Sequence, residues 1–400
     1  MPIKVLQVNA VYGTGSTGTI VRDIERICGK SGIDCYIASP DINVKTAKKH
    51  YLIGNVFDHK VHAVLTRMTG KQGYFSTKAT KELLKYIDAI SPDIVHLHNL
   101  HSNYINLNIL FDYLSKKDIP TILSLHDCWY YTGGCFHYTA AGCMRWLNDC
   151  GNCPKRGADN LSFMDNSASI LADRKKYLLK IPRLYIVGVS EWIAQEASKT
   201  FLKNKTITAI RNGVDMSVFK PSISDLKKTL GFENKYVILG PGSKWLSPIN
   251  SYSLKYFSDN MRKDEVLLLY GVSEYKGTLP TNIHLYGYTK NRNELAALYT
   301  MADVFANTTH EDSLSLINVE SQACGTPVVT FDATGPKETV DGAYSVSVPV
   351  GDAKRLMDAV HLLRDNYKTE TSEQCREFVK KRFDMQSQYK KFIELYRSIL

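Results

Sequence analysis

A chain of 400 residues with 44% hydrophobic and 22% charged side chains has the bulk for two ordinary domains, each with its own core, and is too apolar to be disordered. No apolar run approaches the roughly 20 residues that cross a bilayer. The N-terminal Ile3–Ala10 stretch is broken by polar residues and reads as a strand, not a signal peptide, so a cytoplasmic protein is expected. Fifty Lys and Arg against forty Asp and Glu leave a net charge of +10, which favours acidic partners: nucleic acid, anionic lipid or phosphorylated substrates. Basic residues cluster at Arg174-Lys175-Lys176 with Lys180 and Arg183, and at Lys380-Lys381-Arg382. Each cluster taken singly reads as a solvated helix face. The basic residues are not interleaved with exposed aromatics as nucleic-acid sites require, so no nucleic acid is expected.

Strand and helix signals alternate from the start. Ile3–Val8 predicts a strand, Gly13-Thr14-Gly15-Ser16-Thr17-Gly18 a turn, and Thr19 to about Cys28 a helix. This is the G-x-G-x-x-G spacing between strand and helix, and Asp41 lies at a distance suited to a ribose hydroxyl, so a nicotinamide-dependent oxidoreductase is a fair reading of this end alone. Strands come next at Cys35–Ala38, Asp93–His98, Thr121–Leu125 and Leu184–Val189, with a helix near Asn106–Ser115. Such alternation builds a parallel sheet wound by helices, with ligands at the carboxyl ends of the strands. His98, His101, His126 and Ser190 lie at those ends. Several His there favour a cleft over an ordinary core role, and Asp127 either orients His126 or caps the next turn.

Five of the nine cysteines fall between Cys128 and Cys153. A reducing cytoplasm disfavours disulfides. Cys135, Cys143, Cys150 and Cys153 are candidates for a tetrahedral structural zinc anchored on Cys150-x-x-Cys153, and a packed loop of reduced thiols is an equal alternative. The alternation restarts at Tyr236–Leu239 and continues through Val266–Tyr270, Ile283–Tyr286, Val304–Ala306 and Val328–Phe331. Between the halves, Asn212-Gly213-Val214-Asp215 and Phe219-Lys220-Pro221 punctuate a linker. The last helix, about Met385–Leu400, carries Tyr389, Phe392, Ile393, Tyr396 and Leu400 at helical spacing.

The most informative stretch runs from Thr309 to Val329. It sets Asp312 and Glu320 around the start of a short helix that stops at Gly325, with Pro327 and an apolar strand beyond. Uncapped amides at such a helix start attract anions. A carboxylate beside an anion site is costly unless it binds something else, such as sugar hydroxyls. The pairing suggests a site for a sugar attached to a diphosphate.

Asp312, seven residues, Glu320, then Ala323-Cys324-Gly325-Thr326-Pro327-Val328-Val329 resembles the motif of the retaining family-4 glycosyltransferases. Asp312 stands where Glu is more usual. The resemblance implies an α/β protein of GT-B fold: two facing Rossmann-like domains, here 1–217 on the acceptor side (with a Cys-rich insert at about 128–154) and 218–383 on the nucleotide-sugar side. A C-terminal helix, 384–400, returns to the first domain. It implies Asp312 beside the donor sugar, Glu320 on the ribose, and the Ser313-Leu314-Ser315 amides on the diphosphate. Gly15 and Gly18 lie under the diphosphate, and His126, in Leu125-His126-Asp127, at the sugar or reacting centre. Tyr286 to Lys290 resembles the base-binding loop, with the main chain of Tyr288, Thr289 and Lys290 at the nucleobase; Glu294 and Tyr299 read as structural. Lys244 aligns with an Arg that neutralises the leaving diphosphate, but Ile249-Asn250 replaces a Lys-Gly, the most serious departure.

Trp129 and the cysteine pattern resemble a subset of bacterial family members that build capsular or exopolysaccharide units. His98, Asn99, His101 and Trp129 are accordingly expected on the acceptor side. The implied catalytic set is His126, Asp312 and Lys244, with no cofactor for the chemistry and a UDP-sugar slightly favoured over a GDP-sugar. The acceptor is a glycan or lipid-linked glycan in surface polysaccharide biosynthesis, with peripheral contact at the anionic inner membrane face. Domain closure is expected to exclude water. Two rivals stand: the nicotinamide enzyme, and a catalytically silent nucleotide-sugar or glycan binder, motivated by Ile249.

Overall fold

The computed structural model describes residues 2–44, 47, 49–159, 161–366 and 370–400. The chain divides into two compact units, Met1–Arg211 with Tyr389–Leu400, and Asn212–Gln388. The first is built on seven parallel strands: β1 Lys4–Val8, β2 Asp34–Ser39, β3 His50–Leu52, β4 Ile94–Leu97, β5 Thr121–Leu125, β6 Leu184–Gly188 and β7 Thr206–Ala209. Their order is β3-β2-β1-β4-β5-β6-β7. Parallel strands are covered on both faces, so they read as near-continuous apolar runs. β4 and β5 are buried at every position. The helix Gly15–Lys30 lays Ile20, Val21, Ile24, Ile27 and Cys28 on the sheet, the spacing of one helical stripe. It begins four residues earlier than the apolar pattern predicts, because Gly15 to Gly18 form its first turn and bring no apolar side chain to signal it.

The second unit holds six parallel strands: β8 Tyr236–Pro241, β9 Glu265–Tyr270, β10 Ile283–Tyr286, β11 Val304–Asn307, β12 Val328–Phe331 and β13 Val346–Val348, in the order β10-β9-β8-β11-β12-β13. Alternate residues feed opposite faces: Val237 and Leu239 enter one core with Phe305 and Val319, and Ile238 the other with Trp245 and Val304. In each sheet the order reverses beside the first strand, at β1/β4 and at β8/β11. Crevices at such reversals are where open α/β sheets bind ligands.

The last helix, Met385–Ser398, belongs to the first unit from Tyr389 onward. There Tyr389, Phe392, Ile393 and Tyr396 are buried, and Tyr396 Oη lies 2.7 Å from His96 Nδ1. In the linker, Val214 pairs with Asp384, and a side chain on Gly213 would collide with Met385. Both chain crossings therefore belong to the second unit. Among the described residues no helix is long and apolar enough to cross a membrane.

Candidate active site

At the β8/β11 reversal, β11 ends in Asn307, whose buried amide shapes the loop that leaves the strand. Its Nδ2 donates to Ser315 Oγ at 2.9 Å and to Asn318 Oδ1 at 2.8 Å, and its Oδ1 accepts from Thr309 N at 3.1 Å. Ser315 adopts a left-handed φ of 71° and makes no side-chain cap for the helix Leu316–Ala323. Asp312 is half-buried. Its N donates to Thr334 Oγ1 at 3.0 Å, and its carbonyl accepts from that hydroxyl at 2.6 Å and from Gly335 N at 3.1 Å. Gly335 packs so closely under Ser313 that no Cβ fits there. The hydroxyls of Ser313 and Thr308 are buried and find no partner among the described residues. An unpaired buried hydroxyl costs about 1–3 kcal/mol, which a ligand oxygen would recover.

Glu320, one turn into that helix, is half-buried and accepts from Tyr299 Oη at 3.1 Å; Tyr299 Oη in turn lies 3.2 Å from Tyr270 Oη. Desolvation pushes the Glu320 carboxyl up to about 7, against the pull of Arg292 and the Tyr299 hydrogen bond. Arg292 itself stacks over Phe219 at 4.9 Å. Sequence reasoning missed Arg292 and gave Tyr299 only a structural part. The signal available was their spacing on the helix Arg292–Met301, where i and i+7 share a face.

Lys244 is half-buried on the turn Gly242–Trp245 after β8. Its charge, after desolvation, helps lower the pKa of His310. Asn250 ties that turn to β11: its Nδ2 donates to Lys244 O at 3.0 Å and Thr308 O at 2.9 Å, and its Oδ1 accepts from His310 Nε2 at 2.9 Å. Asn250, one of the two departures from the family pattern, thus fastens the loop that carries Lys244, while Ile249 is exposed. In the loop after β10, Glu294 accepts from Tyr286 Oη and from Lys290 N, each at 2.6 Å. The Lys290 amide is thus engaged by Glu294, and of the main-chain groups expected at a nucleobase its carbonyl and those of Tyr288 and Thr289 remain; Tyr288 is exposed and Thr289 half-buried.

In the first unit, Gly13 and Gly15 have φ of 73° and 61°. Gly13 N donates to Gly18 O at 2.8 Å, and a Cβ on Gly18 would sit 3.1 Å from Gly13 N. Gly18 is buried and serves this close packing; Gly15 is exposed with nothing within 4 Å. Asp41, wanted for a ribose in the nicotinamide reading, accepts from Asn43 N at 2.9 Å in its own loop and from Tyr12 N at 3.5 Å in the glycine-rich loop after β1.

The histidines past β4 and β5 form a relay. Gln7 Nε2 donates to Val21 O at 3.2 Å and Cys35 Sγ at 3.1 Å, which turns Gln7 Oε1 toward His98 Nε2 at 3.0 Å. An amide oxygen only accepts, so His98 carries its proton on Nε2. Burial, then the neighbouring His96 and His126, hold His98 well below the usual imidazole range, so it is neutral and its Nδ1 accepts. His126 Nε2, 3.0 Å away, must donate to it. Desolvation also pushes His126 down to about 4, against Asp127. His126 is therefore neutral, with a bare lone pair on Nδ1. Replacing Gln7 by methionine removes the terminal acceptor at similar volume; the ring ¹⁵N shifts of His126 are expected to change from a single Nε2–H form to a mixture, read by long-range ¹H–¹⁵N spectra.

Two acceptor-side expectations change. His98 and Trp129 are fully buried, which places them behind the surface and fits a positioning part better than a direct acceptor contact. Asp127 accepts from His101 Nε2 at 3.0 Å and Trp129 N at 2.9 Å, so it caps the turn and holds His101, while His98 orients His126. His101 and Asn99 are half-buried. Arg174 also leaves the basic surface: it is buried, stacks 3.8 Å over Trp129 and donates to the carbonyls of Trp129 and Thr132. Cys135, Cys143, Cys150 and Cys153 line one small cavity as free thiols. Among the described residues, however, no three or more of His, Cys, Asp and Glu are set to hold a metal ion, so the zinc expectation finds no ligand set. Burial pushes the Cys135 and Cys150 thiols up to about 12 and 11, toward the protonated form of a packed loop.

Two Rossmann-like units of this kind, each with its crevice at the strand-order reversal, define the GT-B class. Solved structures agree. Sucrose-phosphate synthase from Thermosynechococcus elongatus matches with a TM-score of 0.69 at 14% identity, over 99% of each chain. HepE from Anabaena, in complex with UDP-glucose, matches with a TM-score of 0.65 at 15% identity, over 99% of this chain and 100% of that one. The family profile described as Glycosyl transferases group 1 matches residues 219–382, and Glycosyltransferase Family 4 matches residues 17–159. The chain belongs to the family-4 glycosyltransferases. WcaC of Escherichia coli (strain K12), named for colanic acid biosynthesis, is 20% identical over 276 residues, 66% of each chain. The match spans 33% and 52% of the next two curated relatives, so this chain covers less than two thirds of the length of these first three.

Proposed function

We propose that this chain is a retaining glycosyltransferase that takes a hexose-type sugar from a nucleotide-sugar, a UDP-sugar before a GDP-sugar, and delivers it to a glycan or lipid-linked glycan in surface polysaccharide biosynthesis. The observation that carries the reading is the second unit's crevice. A carboxylate clasped by Tyr299 stands one turn from an uncapped helix start, next to two unpaired buried hydroxyls. Glu320 takes the ribose hydroxyls, and the Ser313-Leu314-Ser315 segment with Lys244 takes the diphosphate. Asp312 faces the sugar, and Tyr288 and Thr289 flank the base. In the first unit, His126 Nδ1 accepts a hydrogen bond from a sugar hydroxyl, Gly15 admits close backbone approach, and Asn99 and His101 serve the acceptor. Helix amides and Lys244 supply the charge stabilisation that a divalent metal gives other transferases. The likeness to WcaC supports the polysaccharide setting, and HepE, a structural neighbour holding UDP-glucose, supports the donor class.

A thermal-shift screen of UDP-, GDP- and CDP-sugars, followed by release of free nucleotide, tests this. Stabilisation by none of them, or no turnover with any acceptor or water, removes the proposal. Donor affinity should also depend on pH. The Glu320 carboxyl, raised to about 7, is mostly protonated at pH 6 and mostly ionised at pH 8. Only the ionised form accepts from both ribose hydroxyls, so affinity is expected to rise through pH 6–8, by up to about tenfold per unit below the midpoint. A nucleotide-sugar is the proper probe, since its doubly esterified diphosphate does not titrate there. Isothermal titration across the range checks the slope, which Glu320→Gln should flatten.

A further inference from the structure

The helix Val56–Thr69 in the first unit is built inside out. Its buried residues are polar: His62, with Nδ1 2.9 Å from Ser76 Oγ and Nε2 accepting from Gly73 N at 3.2 Å, and Thr66, which donates to Asn103 Oδ1 at 2.8 Å. Its large apolar residues, Leu65 apart, point outward. Phe57 is 77% exposed, Val61 41%, Val64 54% and Met68 55%. These are positions i, i+4, i+7 and i+11, which at about 100° per residue fall within one narrow stripe. The exposed Lys60 and Arg67 flank that stripe along one edge. A second apolar segment lies beside the helix's end: Phe163 N donates to Arg67 O at 2.9 Å, and Leu161, Phe163 and Met164 are 59%, 78% and 55% exposed.

A soluble helix puts its polar face to water. One that instead shows a continuous apolar stripe, bordered by cations whose stems reach along it, has the composition of a helix lying in a lipid headgroup layer. We infer that the helix Val56–Thr69, with the Leu161–Met164 segment, docks this protein on an anionic lipid surface: Phe57, Val64 and Met68 enter the acyl boundary, and Lys60 and Arg67 meet lipid phosphates. Charge favours lipid over a second copy of the chain, because two copies pressed on this face would oppose Lys60 and Arg67 to the same residues. Docking through this helix does not depend on glycosyl transfer. It also moves the membrane contact away from Arg174, which is buried.

The test is co-sedimentation of the full chain with sucrose-loaded vesicles of phosphatidylcholine alone and of phosphatidylcholine with phosphatidylglycerol. Strong partition onto the anionic vesicles, weakened by salt, is expected. Phe57→Ser with Val64→Ser and Met68→Ser should reduce it at least tenfold. Lys60→Glu with Arg67→Glu should bring binding down to the level on neutral vesicles. Nucleotide-sugar affinity and the melting curve, measured alongside, should be unchanged in both variants, since all of these residues belong to the first unit and are exposed; these readouts confirm that the variants fold. Absence of vesicle binding by the wild type, or equal binding by the triple serine variant, overturns the inference. So does light scattering that shows a dimer converted to monomer by the triple variant, which would make this face a contact between copies.

Discussion

Glu320→Ala is expected to weaken nucleotide-sugar binding by roughly tenfold to a hundredfold without lowering the melting temperature. The loss follows from hydrogen bonds to an ionised acceptor, worth about 1.5–3 kcal/mol together, at about 1.4 kcal/mol per factor of ten. The unchanged melting temperature follows from the folded protein's own electrostatics. Burial already pushes this carboxyl up to about 7, so its ionised form is a cost to the fold at neutral pH, and deletion relieves that cost. Tyr299 keeps a partner in Tyr270, 3.2 Å away. A residue that only braced the helix would show the opposite pattern, lower stability with binding intact. Isothermal titration and a melting curve on the same preparation separate the two, and unchanged affinity would remove the ribose assignment.

Lys244→Ala is expected to act on rate instead. The charge on a leaving diphosphate grows as the glycosidic bond breaks, so a cation aimed at it contributes most in the transition state. The family pattern's second cation is replaced here by Ile249, which leaves Lys244 with a larger share. A fall in kcat of about 10²–10³, with a small change in donor affinity, is the expected result. Lys244→Arg should retain most of the rate. Steady-state kinetics with saturating donor measure it. Asn250→Ala offers a milder version, because it frees the turn that carries Lys244 from Thr308 and His310 while leaving the charge in place.

Much of the architecture is legible in the sequence for a plain reason. Parallel strands are buried on both faces, so β5 and β12 appear as apolar runs whose ends match the observed ones. Most edge strands escape that logic, although β10, Ile283–Tyr286, is an edge strand that its sequence does mark. β3, β7 and β13 are three or four residues long, lie at sheet edges and are only partly buried, so no run marks them. The site divides the same way. Asp312, Glu320 and Lys244 sit in local spacing patterns and can be found there. The partners that tune them come from other elements: Tyr299 and Arg292 from the preceding helix, Thr334 from beyond β12, and Gln7 from a strand 91 residues away from His98. Only the fold brings such groups together. Burial is also invisible in a motif, which is why Trp129 and His98 read as ligand contacts yet lie in the core. His98 and Asp127 divide their labour in a way that sequence order hides, the distant histidine orienting His126 while its immediate neighbour turns to His101.

The row Tyr270, Tyr299, Glu320 draws one residue from strand β9, one from the helix Arg292–Met301 and one from the helix Leu316–Ala323. Any attempt to graft the donor pocket between relatives has to move these three positions as a set. A chimera that transplants the acidic helix into a recipient without these two phenols would import a carboxylate with nothing to meet it, and is expected to lose grip on its donor even with every motif residue in place.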